Sequence, residues 1–116
     1  MIVLNIPIRT GSGLNGREHW RAKARRVKHE RIATRLAWFA AGRPTITPPC
    51  AVRLVRVSPG TRRTDDDNLP GTLKAVRDEV AAIAGVDDGD PRWAWSYGQE
   101  RGGWGVRVEI EETGAG

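Results

Sequence analysis

Arg62-Arg63-Thr64-Asp65-Asp66-Asp67-Asn68-Leu69 opens the stretch on which the fold turns, and Gly85-Val86-Asp87-Asp88-Gly89-Asp90 closes it. Between them, Leu69 to Ala84 has the periodicity of a helix, because Leu73, Val76, Val80 and Ile83 recur at intervals of three and four and form one apolar stripe. Asn68 is a natural N-cap. Pro70 is tolerated in a first turn, where an amide would be unpaired anyway, and Gly85 suits the left-handed residue that ends a helix. Lys74 and Asp78, spaced i and i+4, point to the same place on the neighbouring flank. Two acidic clusters therefore bracket one helix.

Upstream, Cys50 to Val57 is nearly continuous in apolar residues apart from Arg53 and Arg56, as expected of a strand central in a sheet. Ser58-Pro59-Gly60 closes it. Ile2, Leu4, Ile6 and Ile8 fall on one face with Val3 and Asn5 opposite and predict a first strand, with Pro7 near its end. The turn-rich run Thr10 to Gly16 predicts a loop, and it lacks the Gly-x-x-x-x-Gly-Lys-Ser/Thr pattern of a nucleotide P-loop. Arg17 to Ala41 predicts a long helix. In it Trp20, Ala24 and Val27, then Ile32, Leu36 and Phe39, repeat at i, i+4, i+7, so that this side can pack. Gly42-Arg43-Pro44 stops it.

Downstream, Trp93, Trp95 and Tyr97 alternate with smaller residues, and Val106, Val108 and Ile110 alternate with charged ones, which predicts two more strands. Arg101-Gly102-Gly103 has hairpin chemistry and predicts that these two pair antiparallel. The expected fold is a single α+β domain over residues 1–116, in the order β-α-β-α-β-β. A four-stranded mixed sheet carries two helices on one face.

Composition narrows the function. The chain has 116 residues and a net charge of +5, with 19 basic residues of which three (Lys23, Lys28 and Lys74) are lysine. A sequence pI of about 10.3 favours an acidic partner, and a mean hydropathy of −0.49 with short apolar runs excludes a membrane span. No signal peptide is evident, and a cytoplasmic location is expected. The single cysteine, Cys50, reads as a buried inert thiol, and neither a zinc pattern nor a Cys/His catalytic pair is present. The predicted first helix concentrates eight basic residues against Glu18 and Glu30, which suits a polyanion but equally describes a solvated face.

Beside this basic surface the aspartates suggest a divalent cation. In an extended segment Asp65 and Asp67 project to one side and Asp66 to the other, and two hard oxygen ligands on one side suit Mg²⁺. The bland alternative is that the aspartates solvate loops or favour the positive end of a helix. The Asp87-Asp88-Gly89-Asp90 loop lacks the spacing and closing Glu of a calcium-binding EF-hand. A sixteen-residue helix would run about 24 Å, so for the two clusters to share a metal the second loop must fold back.

The run Asp65-x-Asp67-Asn68-Leu69, with Lys74-x-x-x-Asp78 and Gly85-x-Asp87-Asp88 beyond it, resembles the RusA-like endodeoxyribonucleases that resolve Holliday junctions. The likeness extends to the order of elements over most of the chain, although its specific motifs are central. It implies that Asp65, Asp67 and Asp88 bind Mg²⁺, with Mn²⁺ able to substitute, and that Asp87 lies beside them. It places Lys74 near the scissile phosphate, completing a catalytic set of Asp65, Asp67, Asp88 and Lys74. It also implies a homodimer acting on branched or four-way-junction DNA in recombination and repair. The sequence departs from the family at one point. The family's lysine lies three residues after the asparagine, whereas Lys74 lies six after Asn68, with Pro70-Gly71-Thr72 as an apparent insertion. Three residues are about 4.5 Å of helix and leave a phase about 60° off, so Lys74 reaches the phosphate from a different angle or the helix starts late.

Arg17, Arg21, Arg25, Arg62 and Arg63 are the candidate phosphate contacts. Two other functions fit parts of the pattern. One is a non-catalytic DNA-binding accessory protein that keeps the same fold. The other is a metal-dependent enzyme acting on a small phosphate ester, for which no substrate-pocket signature exists.

Overall fold

The computed structural model describes residues 1–10, 20–60 and 68–113. In chain order the elements are β1 (Ile2–Ile6), α1 (Trp20–Ala40), β2 (Cys50–Ser58), α2 (Leu69–Thr72), α3 (Lys74–Ala84), β3 (Trp93–Arg101) and β4 (Gly105–Glu112). They form one α+β domain in which the sheet order is β1-β4-β2-β3. β2 and β3 run parallel, and β4 is antiparallel to both β1 and β2, so the sheet is mixed.

Alternation puts Leu4 and Ile6 of β1, Cys50, Val52 and Leu54 of β2, and Val106, Val108 and Ile110 of β4 on the face that the helices cover. Leu69, Leu73, Val76, Val80 and Ala81 come down onto them. Cys50 is buried at the start of β2, as expected, and burial raises its thiol pKa, with Glu112 adding to the shift. The opposite face carries ion pairs. Arg107 reaches Glu109 at 2.8 Å and, two strands away, Glu100 at 2.5 Å, so its arm must cross the central strand near Val55, which is fully buried.

Four local expectations change. β3 and β4 are not a hairpin, because β2 lies between them and pairs with both along its length. The apolar continuity that marked β2 as central makes it the better partner for each. The connection from β3 to β4 crosses the end of β2, where the Gly102 amide donates to the Ser58 carbonyl at 3.0 Å. A Cβ on Gly102 would stand 2.9 Å from Val57 Cγ1, so the glycine is required by close approach rather than by a two-residue turn.

The helix expected over Leu69–Ala84 is broken at Leu73, and Pro70-Gly71-Thr72 forms most of the separate turn α2. Asn68 has helical φ and ψ and makes no side-chain cap, so helical backbone begins at the residue expected to precede it. Gly85, in contrast, adopts the left-handed conformation expected of it, with φ 76°.

The fourth change concerns α1. Its apolar repeat faces outward, with Trp20 68% and Leu36 60% exposed, and Ile32 and Phe39 are exposed too. The buried positions are Glu30, Thr34 and Ala37, with Ala33 and Trp38 packed against the core. Small side chains at 33, 34 and 37 allow a close approach to the layer beneath. In this phase Arg31 and Arg35 both reach the buried Glu79 of α3, at 2.8 and 2.6 Å.

Candidate metal and nucleic-acid site

The loop after α3 folds back. Asp88 lies past the helix end, yet its Oδ2 is 3.3 Å from Nε of Arg77, in the first turn of α3. This contact is an ion pair and not a well-formed hydrogen bond, since Arg77 Nε has no hydrogen-bond partner. Arg77 also donates to Tyr97 Oη at 2.8 Å, and its guanidinium stands 4.7 Å from the Trp95 ring. Two indoles complete the clamp. Trp93 Nε1 donates to the Asp87 carbonyl and Trp95 Nε1 to the Asp88 carbonyl, each at 3.0 Å. The tryptophans thus cover the sheet, as their alternation predicts, and also fix the backbone of the acidic loop.

Inside this loop the aspartates differ. Asp87 Oδ1 accepts the Gly89 amide at 2.9 Å, and this bond, followed by one with the Asp88 side chain, lowers the Asp87 pKa below the ordinary carboxylate value. Asp90 is held by Arg92, chiefly by its side chain and then by its amide, and its pKa falls to about 2. Asp90 therefore belongs to a local turn. Asp88 is engaged both by Arg77, through Oδ2, and by the Asp87 side chain.

Lys74 is the first residue of α3, and Pro70-Gly71-Thr72 belong to α2, before the break at Leu73. Its Nζ donates to both Asp78 oxygens, at 3.1 and 3.2 Å. Lys74, Arg77 and Asp78 are spaced i, i+3, i+4 and share a flank of α3. Asp88 therefore joins the flank that carries Lys74.

Of the remaining site residues, Arg21 and Arg25 are exposed on α1, and the Arg21 guanidinium stands 5.1 Å from the Trp20 ring. Asp65, Asp67, Arg17, Arg62 and Arg63 lie outside the described residues, and with them the expected convergence of Asp65 and Asp67 with Asp88. Among the described residues no group of three or more His, Cys, Asp or Glu side chains is placed to hold a metal. Asp87 and Asp88 offer hard carboxylate oxygens, a donor chemistry that fits Mg²⁺ or Mn²⁺ as part of a larger set. Arg77 would then act from outside, orienting a ligand carboxylate as second partners of metal ligands do. Sequence reading passed over Arg77, and it assigned Trp93 and Trp95 to the sheet without their bonds to the acidic loop. The signal for Arg77 was its position three residues after Lys74, but its partners come from a distant loop and strand.

Comparison with protein-family models, with curated proteins and with solved structures gives no match for this chain. Among the described residues, no helix is long and apolar enough to cross a membrane.

Proposed function

We propose that the chain is a Mg²⁺-dependent, structure-selective endodeoxyribonuclease that hydrolyses phosphodiesters in branched DNA such as Holliday junctions, as a homodimer serving recombination and repair. The observation that carries this reading is the return of Asp88 to the first turn of α3, on the flank with Lys74. That fold-back is what a site split between Asp65/Asp67 and Asp87/Asp88 requires. The RusA-like order of the motifs and the basic outer surface of α1 support it further.

In this reading Asp65, Asp67 and Asp88, with Asp87 beside them, would hold the metal. A bound Mg²⁺ would supply a lowered pKa for water and charge neutralisation at the phosphate. Arg77 holds Asp88 in place, and Lys74, shared with Asp78, offers positive charge toward a phosphate entering beside α3. Arg17, Arg21, Arg25, Arg62 and Arg63 contribute sequence-independent affinity for the backbone. A four-way junction is two-fold symmetric, and a C2 dimer would present two sites related as the target strands are.

The test is cleavage of a synthetic four-way junction in Mg²⁺ or Mn²⁺. Asp67→Asn and Asp88→Asn should abolish cleavage while junction binding stays largely intact. Wild-type cleavage rates in either variant, or cleavage without divalent metal, would overturn the assignment. A second reading, a non-catalytic DNA-binding accessory protein, draws on the pairing of Lys74 with Asp78 and of Asp88 with Arg77. A junction gel shift without nicking in either metal would favour it.

A further inference from the structure

Arg56 is the one buried arginine among the described residues, 2% exposed, and it pairs with no carboxylate there. The contrast with its neighbours is informative. Arg26, Arg31, Arg35, Arg53, Arg77, Arg92 and Arg107 each reach an acidic partner. Arg56 instead donates Nε to Thr10 Oγ1 at 2.8 Å and Nη1 to Ser58 Oγ at 3.4 Å, and both hydroxyls are themselves buried. An uncompensated buried cation is costly, and it persists where something else supplies the opposite charge. Each hydroxyl, having accepted from the guanidinium, keeps its own O–H as a donor. Guanidinium and hydroxyls together make a cradle for an anion.

A second cation stands beside the first. Trp104 has Arg56 Cζ at 5.7 Å and Arg9 Cζ at 4.8 Å from its ring, so one indole holds two guanidiniums in cation–π range. Arg9 is exposed and forms no ion pair with a described carboxylate. Trp104 also walls a shallow cleft with Asn5, Pro7 and Arg107. All these groups lie at one end of the sheet, where β1 and β2 finish and β4 begins. From that end the chain continues through Gly60 toward the Asp65–Asp67 motif.

From this geometry we infer that Arg56, Arg9 and Trp104, with the Thr10 and Ser58 hydroxyls, form a phosphate-binding site for the backbone of a nucleic-acid strand. It is distinct from the arginines assigned above. Arg9 meets the strand first, and Arg56, held from behind, fixes one phosphate. The site rests on the DNA-directed reading of this protein but not on its cleaving anything.

The test is fluorescence anisotropy of the full chain with a labelled four-way junction and a labelled single strand, in EDTA, over a range of KCl concentrations. Log affinity falls linearly with log salt, by about 0.9 for each phosphate neutralised on duplex and about 0.7 on single strands. Arg9→Gln, an exposed change, should flatten the slope by about one phosphate and weaken binding several-fold at moderate salt. Arg56→Met, checked for folding by its thermal transition, should do the same. If Arg56→Met does not fold, Trp104→Leu replaces it, since losing the ring releases both guanidiniums. Wild-type slopes in Arg9→Gln together with either partner variant would overturn the site. So would a wild-type thermal transition raised by millimolar inorganic phosphate through Arg56 while the DNA slopes stay unchanged, for that is a small-anion site. Flattened slopes in a protein that never nicks a junction would sustain the site and remove the nuclease reading. A wild-type protein that does not bind DNA removes both.

Discussion

Glu79 is the joint between the two long helices, and its removal tests how α1 is held. The carboxylate is 8% exposed and takes one bond on each oxygen, from Arg31 Nε at 2.8 Å and Arg35 Nε at 2.6 Å. A hydrogen bond to a charged group contributes about 1.5–3 kcal/mol. Both arginine side chains are more than 40% exposed, at 41% and 43%, so each regains water when its partner is lost. That exposure discounts each bond toward about 1 kcal/mol. Glu79→Gln keeps the volume and one good acceptor, and should cost about 1–2 kcal/mol. Glu79→Ala loses both bonds and a buried methylene worth about 0.8 kcal/mol, for about 2–3 kcal/mol in all. In a domain of this size 1 kcal/mol moves Tm by about 4 °C, so Glu79→Ala should melt about 10 °C lower. Urea unfolding followed by tryptophan fluorescence would read the same loss as a lower midpoint at unchanged slope. A double-mutant cycle with Arg35→Ala should return a coupling of about 1 kcal/mol. A loss under about 0.5 kcal/mol in Glu79→Ala, or a coupling near zero, would refute the view that this clamp holds α1.

Two further outcomes follow from the geometry. Gly102→Ala puts a methyl group 2.9 Å from Val57 Cγ1 where the chain crosses β2, and should cost about 1–3 kcal/mol in urea unfolding; Gly103→Ala, with open space at its Cβ, serves as the control and should cost less. Asp90, with its pKa lowered to about 2 by Arg92, supplies stability that is fully present above the ordinary carboxylate range and is lost as pH falls toward 2. A carboxyl-carbon NMR titration should show that low midpoint and its return to the ordinary range in Arg92→Ala, and an unchanged midpoint in the variant would contradict the assigned cause.

Features encoded within a few residues were legible before the structure. The alternation in Ile2–Ile8, the apolar continuity of Cys50–Val57, the stripe Leu73, Val76, Val80 and the left-handed Gly85 all read correctly, since each depends on local backbone geometry. Asp78, Asp87 and Asp88 could also be singled out, because negative charge stands out in a basic chain, and Lys74 by its i, i+4 spacing to Asp78. What joins them was not legible. Arg77 meets Asp88, Tyr97 and Trp95, which lie on a later loop and strand, and no pattern around residue 77 records those partners.

The errors share that cause. Arg101-Gly102-Gly103 has the composition of a hairpin turn, and a hairpin is the best local use of it. β2 displaces that choice by offering a longer ladder to each strand, so the same glycines serve as a bridge over its end. α1 carries two apolar arcs, and judged by size alone Ile32, Leu36 and Phe39 should be buried in preference to Ala33, Thr34 and Ala37. Burying the larger arc, however, would turn Arg31 and Arg35 away from Glu79 and leave a carboxylate enclosed without its partners, a cost of several kcal/mol or about that of burying one large side chain. The smaller arc also lets the helix sit closer to the layer beneath it. The phase of α1 is thus set by a residue more than forty positions away, and the stripe expected in the core remains on the surface beside Arg25 and Lys28.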